Sequence, residues 1–222
     1  MIFYNIIMNI NSTFGVIFKD KEWTKKTLLG GLFLMIPVVN LLAFGFLAKL
    51  MHSHLEGKKK LPLWEDWGSL FWTGIEWGLI IIIYLVIPLL VLSLLPESVF
   101  TFIVNPNFVF SRLNLGGYLW FYLSTLLSIF ILFFLPMGLM LFADTGSFIN
   151  AFHFNKIFSH IKKNLASYLI AYILTIILFG INFSIHILFT KINFGVIPSY
   201  FLFMWLGFII LLISGALFTE SF

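Results

Sequence analysis

Five apolar runs divide the chain, and the polar residues between them fall in short charged clusters. The runs are 28–50, 70–95, 118–142, 166–189 and 195–218. At about 1.5 Å of rise per residue, each is long enough to cross the roughly 30 Å hydrocarbon core of a bilayer as a helix. The first run is the least regular, with Gly30, Gly31, Pro37, Asn40 and Gly45 inside it. Pro37 has no backbone N–H and breaks or kinks a helix there. The third run carries a similar interruption at Pro136.

The connecting stretches have patterns of their own. Residues 61–77 gather Trp64, Trp67, Trp72 and Trp77 with Glu65, Asp66 and Glu76, and read as an elbow where the chain enters a membrane. Over 147–164, Phe154, Ile157, Phe158, Ile161 and Leu165 repeat on one helical face, and His153, Lys156, His160 and Lys163 on another. A helix with an aromatic face and a basic face is built to lie in the headgroup plane. Asp144 to Ser147 reads as a turn and helix N-cap, and Asn105-Pro106-Asn107 as a turn in the connector 96–117. Residues 1–26 read as an interfacial segment ending in charges around the anchor Trp23.

The expected architecture is an all-α integral membrane protein, one domain over 1–222. It has a re-entrant or broken helix at 28–50, elbow plus span at 61–95, a span at 118–142, elbow plus span at 147–189 and a span at 195–218. The elbow-then-span layout occurs twice, and 1–50 is a looser version of it, a weak repeat of pattern without close residue identity.

Composition narrows the class further. Of 222 residues, 61% are hydrophobic and only 10% charged, against about half and about a quarter in soluble domains. A soluble fold of this size has no means of hiding so much apolar surface. There is no cysteine, which removes disulfides, thiolate metal sites and thiol nucleophiles. The net charge of +4 comes from scattered residues rather than a nucleic-acid-binding stripe, so no nucleic-acid partner is expected. Residues 1–18 show neither a basic n-region nor a small-residue cleavage pattern, so no signal peptide is expected.

Basic residues should collect on the cytoplasmic side. If all five runs span, Lys19, Lys21, Lys25, Lys26, Arg112 and Lys191 face Lys49, Lys58, Lys59, Lys60, Lys156, Lys162 and Lys163, six against seven. If 28–50 dips in and returns as a hairpin bent around Pro37 to Asn40, the count becomes eleven against two. The re-entrant reading, with four full spans and both termini cytoplasmic, is therefore preferred to five spans. The expected location is the cell membrane.

Candidate chemistry is sparse. Asp66, Ser69, Thr73 and Glu76 fall on one helical stripe running down from the interface. A carboxylate there is a functional candidate, or it hydrates at the headgroups or pairs with a lysine such as Lys49. Asn182 and His186, one turn apart, form either a polar site or an interhelical hydrogen bond. Asn40 lines a cavity or satisfies backbone groups freed by Pro37. His52, His54 and Glu56 are too poorly placed for a metal site, because side chains at i and i+2 diverge on a helix. Lys58, Lys59, Lys60, Lys156, Lys162 and Lys163 set topology and are candidate contacts for anionic lipid. No catalytic motif is present, and no catalytic residue, metal or cofactor is expected.

The stretches Phe18–Pro37 (FKDKEWTKKTLLGGLFLMIP), Gly45–Leu50 (GFLAKL), Leu61–Gly68 (LPLWEDWG) and Ala151–Ile157 (AFHFNKI) resemble the archaeal and bacterial membrane family catalogued as domain of unknown function four thousand thirteen. The likeness extends to about residue 190. Gly45-Phe46 stands where that family is expected to have Gly-Tyr. The resemblance implies an integral membrane protein and brings no activity or catalytic residue.

Two functions remain in play. One is a non-enzymatic scaffold or accessory protein acting at the cytoplasmic leaflet, with the lipid bilayer and anionic lipids as partners. The other is a small oligomeric transporter or channel-like subunit with a site near the broken helix. A homo-oligomer or another membrane protein as partner is left open. A cavity reaching Asn40 or Glu76 would favour transport.

Overall fold

The computed structural model describes residues 13–58, 60–93, 115–192 and 194–222. Residues 1–12 of the interfacial segment, Lys59, the Asn105–Asn107 turn and Arg112 lie outside these. Every described element is helical. In chain order they are α1 (Trp23–Met35), α2 (Asn40–Leu55), α3 (Trp67–Ser93), α4 (Leu115–Thr145), a 3-10 helix (Phe148–Phe152), α5 (Phe154–Lys163), α6 (Leu165–Lys191) and α7 (Val196–Glu220). Among the described residues, four stretches are long and apolar enough to cross a membrane: Trp67–Val86, Thr125–Thr145, Leu165–Lys191 and Val196–Glu220.

The chain divides into two compact units. One comprises residues 79–136, the continuation of α3 and most of α4. Inside it Phe134 meets Phe130 and Phe133 edge-on, while Leu126, Ile129 and Phe130 are about 60% exposed, as expected of side chains that lipid solvates. Helix α4 runs unbroken through Pro136 and is not interrupted there.

The other unit comprises 1–78 and 137–222. Its centre is α7, which packs against α1, α2 and α6. Burial covers 61% of the apolar window of α7 but only 17% of that of α6. Helix α7 thus serves as core, and α6 presents Ile173, Ile176, Phe183 and Leu188 outward. Helices α6 and α7 form a full-length antiparallel pair. Tyr168 meets Phe218, Thr175 donates to Ser214 at 3.0 Å, and the Asn182 amide donates to the Phe203 carbonyl at 3.1 Å.

The first apolar run is broken. Helix α1 stops at Met35, Ile36 to Val39 turn, and α2 starts at Asn40. Pro37 stands in the turn, and Val38 takes φ 72°, a left-handed position where a β-branched side chain is strained. The backbone N–H groups of Asn40, Leu41 and Leu42 donate to Ile36, Val38 and Val39, so the turn satisfies itself through its own backbone. With 13 and 16 residues, the two helices rise only about 20 and 24 Å.

Contacts with α7 show that these helices fold back on each other. Going along α7, Trp205 meets Gly31, Phe208 meets Gly30 and Phe46, and Gly215 meets Leu47 and Met51. Glu220 then meets His54. Helix α2 therefore runs parallel to α7 and α1 against it. The open end of the hairpin, the start of α6 and the end of α7 all lie at one end of the unit.

Two expected elbows have a different build. Residues 61–66 are not helical. Pro62 restricts the residue before it, and Asp66, at φ 55°, caps α3 by accepting from the Ser69 N–H. The 147–164 stretch is two pieces, the 3-10 helix and α5, separated at His153. Ser147 stands before the 3-10 helix without capping it through its side chain; its own N–H donates to the Thr145 hydroxyl.

Candidate functional site

Helices α2 and α3 touch at backbone level. A Cβ on Gly45 would collide with the Leu70 carbonyl, and one on Gly74 with the Leu41 carbonyl. Two glycines thus let the helices close to a distance no larger residue permits, as small residues do between membrane helices. The pairing Gly45–Leu70 and Gly74–Leu41 makes the helices antiparallel. It also sets Glu76 beyond the contact on one side and Lys49 beyond it on the other.

Beside this crossing lies a cavity of about 360 Å³. Gly45, Ala48, Lys49 and His52 line it from α2, and Ser69, Leu70, Thr73 and Glu76 from α3. Phe142 to Gly146, the end of α4 and its turn, complete the wall. Lys49, His52, Ser69 and Asp144 are exposed, while Thr73 and Glu76 are half-buried. His52 braces the wall: its Nδ1 lies 2.8 Å from the Ala143 carbonyl and so carries the proton. Neither Lys49 nor Glu76 belongs to an ion pair among the described residues, although they share the cavity.

Of the stripe read from the sequence, Ser69, Thr73 and Glu76 line this cavity, and Asp66 serves as the cap of α3. Asn40 opens α2 and is not among the lining residues. Asn182 is buried and spends its amide on Phe203. His186, one turn on, places its ring 4.8 Å from the same Phe203. This pair works as interhelical packing.

The tryptophans divide by role. Trp72 is 64% exposed and Trp67 46%, although Trp67 also meets Phe33 and stacks on Trp64. Trp23 is half-buried and meets Phe18 edge-on. Trp64 and Trp77 turn inward. Trp64 stacks on Phe46 at 4.2 Å, meets Phe33 and Phe208, and donates its indole N–H to the Lys26 carbonyl at 3.1 Å. Trp77 is buried against Phe44 and offers little to an interface. Alternation along the sequence does not distinguish a ring facing lipid from a ring facing a neighbouring helix.

A second cluster locks the open end of the hairpin. The Lys26 ammonium meets the Asp20 carboxylate at 2.8 Å, with both side chains about nine-tenths buried, and also donates to the Leu61 carbonyl. Burial pushes the Asp20 carboxyl up, but the Lys26 hydrogen bond, the Glu22 N–H and the Lys26 charge outweigh it and hold it below its ordinary value. His54, also buried, meets Glu220 at 3.1 Å. No spacing in the sequence joins residues that far apart.

The lysines read as candidate lipid contacts, Lys59 aside, are spread along the same end. Lys156, Lys162 and Lys163 of α5 are exposed, with Ile157 and Ile161 beneath them and Phe154 and Phe158 turned outward. Lys58 is exposed and bonded to Glu56, whose carboxyl it holds below the ordinary value. Lys60 joins Lys19, Asp20, Lys21 and Glu22 around a surface depression of about 420 Å³. Among the described residues, His52, His54 and Glu56 gather no metal-ligand group; His52 and His54 point to different partners.

No curated protein and no solved structure matches this chain. A family model described as "Protein of unknown function (DUF4013)" matches residues 28–190, from α1 through almost all of α6. That is well over half of the chain, which therefore belongs to the DUF4013 family.

Proposed function

We propose that this membrane protein is a non-enzymatic accessory or scaffold protein that acts at the cytoplasmic leaflet, where it seats a re-entrant hairpin and an amphipathic helix. The back-folding of α1 on α2 carries this reading. It brings the basic flank at 19–26 to the end of its unit that also holds Lys58, Lys60 and the lysines of α5. Anionic lipid is the natural partner of such a face, at about 1 kcal/mol per lysine near the surface. Two histidines and several hydroxyls are engaged within the helical framework: His52 on Ala143, His54 on Glu220, and Ser53, Thr145 and Ser184 on carbonyls of their own helices.

The chain has no cysteine, so single cysteines report cleanly. Lys21→Cys and Lys156→Cys should resist a membrane-impermeant maleimide on intact cells, and Lys191→Cys should label. Labelling of Lys21→Cys together with Lys191→Cys would defeat the re-entrant topology.

A second reading, a small oligomeric transporter or channel-like subunit, is favoured by one observation. The cavity formed beside the broken segment reaches the half-buried Glu76. Discontinuous helices build the substrate sites of many transporters.

A further inference from the structure

The cavity between α2 and α3 holds two opposite charges apart. Elsewhere in the same unit such charges close on each other: Lys26 on Asp20 at 2.8 Å, Lys58 on Glu56 at 2.7 Å. Lys49 and Glu76 line one cavity and do not. The reason is the register of the helices. Gly45 meets Leu70 and Gly74 meets Leu41, so the carboxylate sits deep and the ammonium near the mouth. A half-buried carboxylate without a counter-charge is costly in a membrane protein and marks a site that something else completes.

We propose that this cavity binds a small zwitterion, with its ammonium on Glu76 and its anionic group on Lys49. Thr73 and Ser69, at one and two turns from Glu76, line the path between the two charges and offer hydroxyls along it. Asp144 at the rim lowers the attraction of Lys49 for a bare anion, which favours a ligand carrying both signs. A volume of about 360 Å³ is at the small end of ligand sites and suits a molecule of metabolite size. The inference goes beyond leaflet seating and does not depend on it. The cysteine-labelling result and the binding result can each fail alone.

The test uses the full chain in phosphatidylglycerol nanodiscs and a series of ω-amino acids: glycine, β-alanine, 4-aminobutanoate and 6-aminohexanoate. Calorimetry should show affinity that peaks at one chain length. Butylamine and butanoate, each with one of the charges, should bind at least about tenfold more weakly, as the loss of a charge-assisted contact predicts. This comparison needs no variant. Glu76→Gln and Lys49→Gln, checked for helical content and a monodisperse elution profile, should each weaken the best ligand by about the same factor. Absence of binding across the series, butylamine binding as well as the best zwitterion, or folded Glu76→Gln binding unchanged would each overturn the proposal. Adding phosphatidylethanolamine to the nanodiscs identifies the source. Competition with the soluble probe marks a lipid headgroup as the zwitterion; unchanged binding marks a free solute.

Discussion

The α1–α2 hairpin and the α6–α7 hairpin are both apolar helix folded back on itself, yet they are held by different means. Helices α6 and α7 have 27 and 25 residues, enough to cross a bilayer at about 1.5 Å per residue. Their pairing rests on a long apolar interface, with interhelical hydrogen bonds such as Asn182 to Phe203 and Thr175 to Ser214. Helices α1 and α2 have 13 and 16 residues and cannot gain stability through length. They gain it through closeness: Gly30 and Gly31 let α7 approach α1, and Gly45 lets α3 approach α2. Their open end is then fastened by Trp64 and by the Lys26–Asp20 pair. A short hairpin in a membrane protein is thus specified by a few irreplaceable contacts, and a long one by many replaceable ones.

The largest expected effect comes from Trp64→Ala. The ring bridges α1, α2 and α7, and aromatic truncation in a core costs about 3–5 kcal/mol. Thermal unfolding in detergent should show a loss of that order. A loss below about 1 kcal/mol would mean that the hairpin does not depend on its fastening.

Glycines sharpen the contrast. Gly45→Ala drives a Cβ into the Leu70 carbonyl and should destabilise by about 1–3 kcal/mol. Gly180 in α6 has open space where its Cβ would be, so Gly180→Ala should be neutral or add up to about 1 kcal/mol through helix propensity. Equal responses of the two variants would erase the distinction between the hairpins.

A smaller effect is expected from acid. The folded-state carboxyl of Asp20 lies below its ordinary value of 3.8, so its stabilisation is fully present above that pH and is lost as pH falls through the lower folded value. Below about pH 4, protease cleavage near Leu61 should rise in the wild type and stay flat in Asp20→Asn, while the α6–α7 turn is unaffected in both. Acid sensitivity that persists in Asp20→Asn would assign the fastening elsewhere.

Much of this was legible in the order of residues, because it depends on local properties. Apolar length accounts for α3, α4, α6 and α7, and the charge asymmetry at the membrane ends favours a fold-back of 28–50 without reference to any contact. Pro37 marked the break because a missing N–H acts wherever it occurs. Periodicity failed at 61–66, where Pro62 and the Asp66 cap hold the chain extended before α3. It also failed for Trp64 and Trp77, since amphipathic spacing tells that a face is apolar without telling whether lipid or protein covers it.

The candidate site divides along the same line. Ser69, Thr73 and Glu76 were visible as a stripe because a helix repeats every 3.6 residues. Lys49 was nameable only as one candidate partner of Glu76, and His52 and Asp144 joined the stripe only through the packing of α2 against α3 and the turn after α4. By itself, the sequence determined that this chain lives in a bilayer, where its long helices lie and where the first of them breaks. Only the tertiary structure decided which charges meet, as Lys26 and Asp20 do, and which stay apart, as Lys49 and Glu76 do. Pairing depends on helix register and on the closeness that Gly45 and Gly74 permit, and neither is encoded at the positions of the charges themselves.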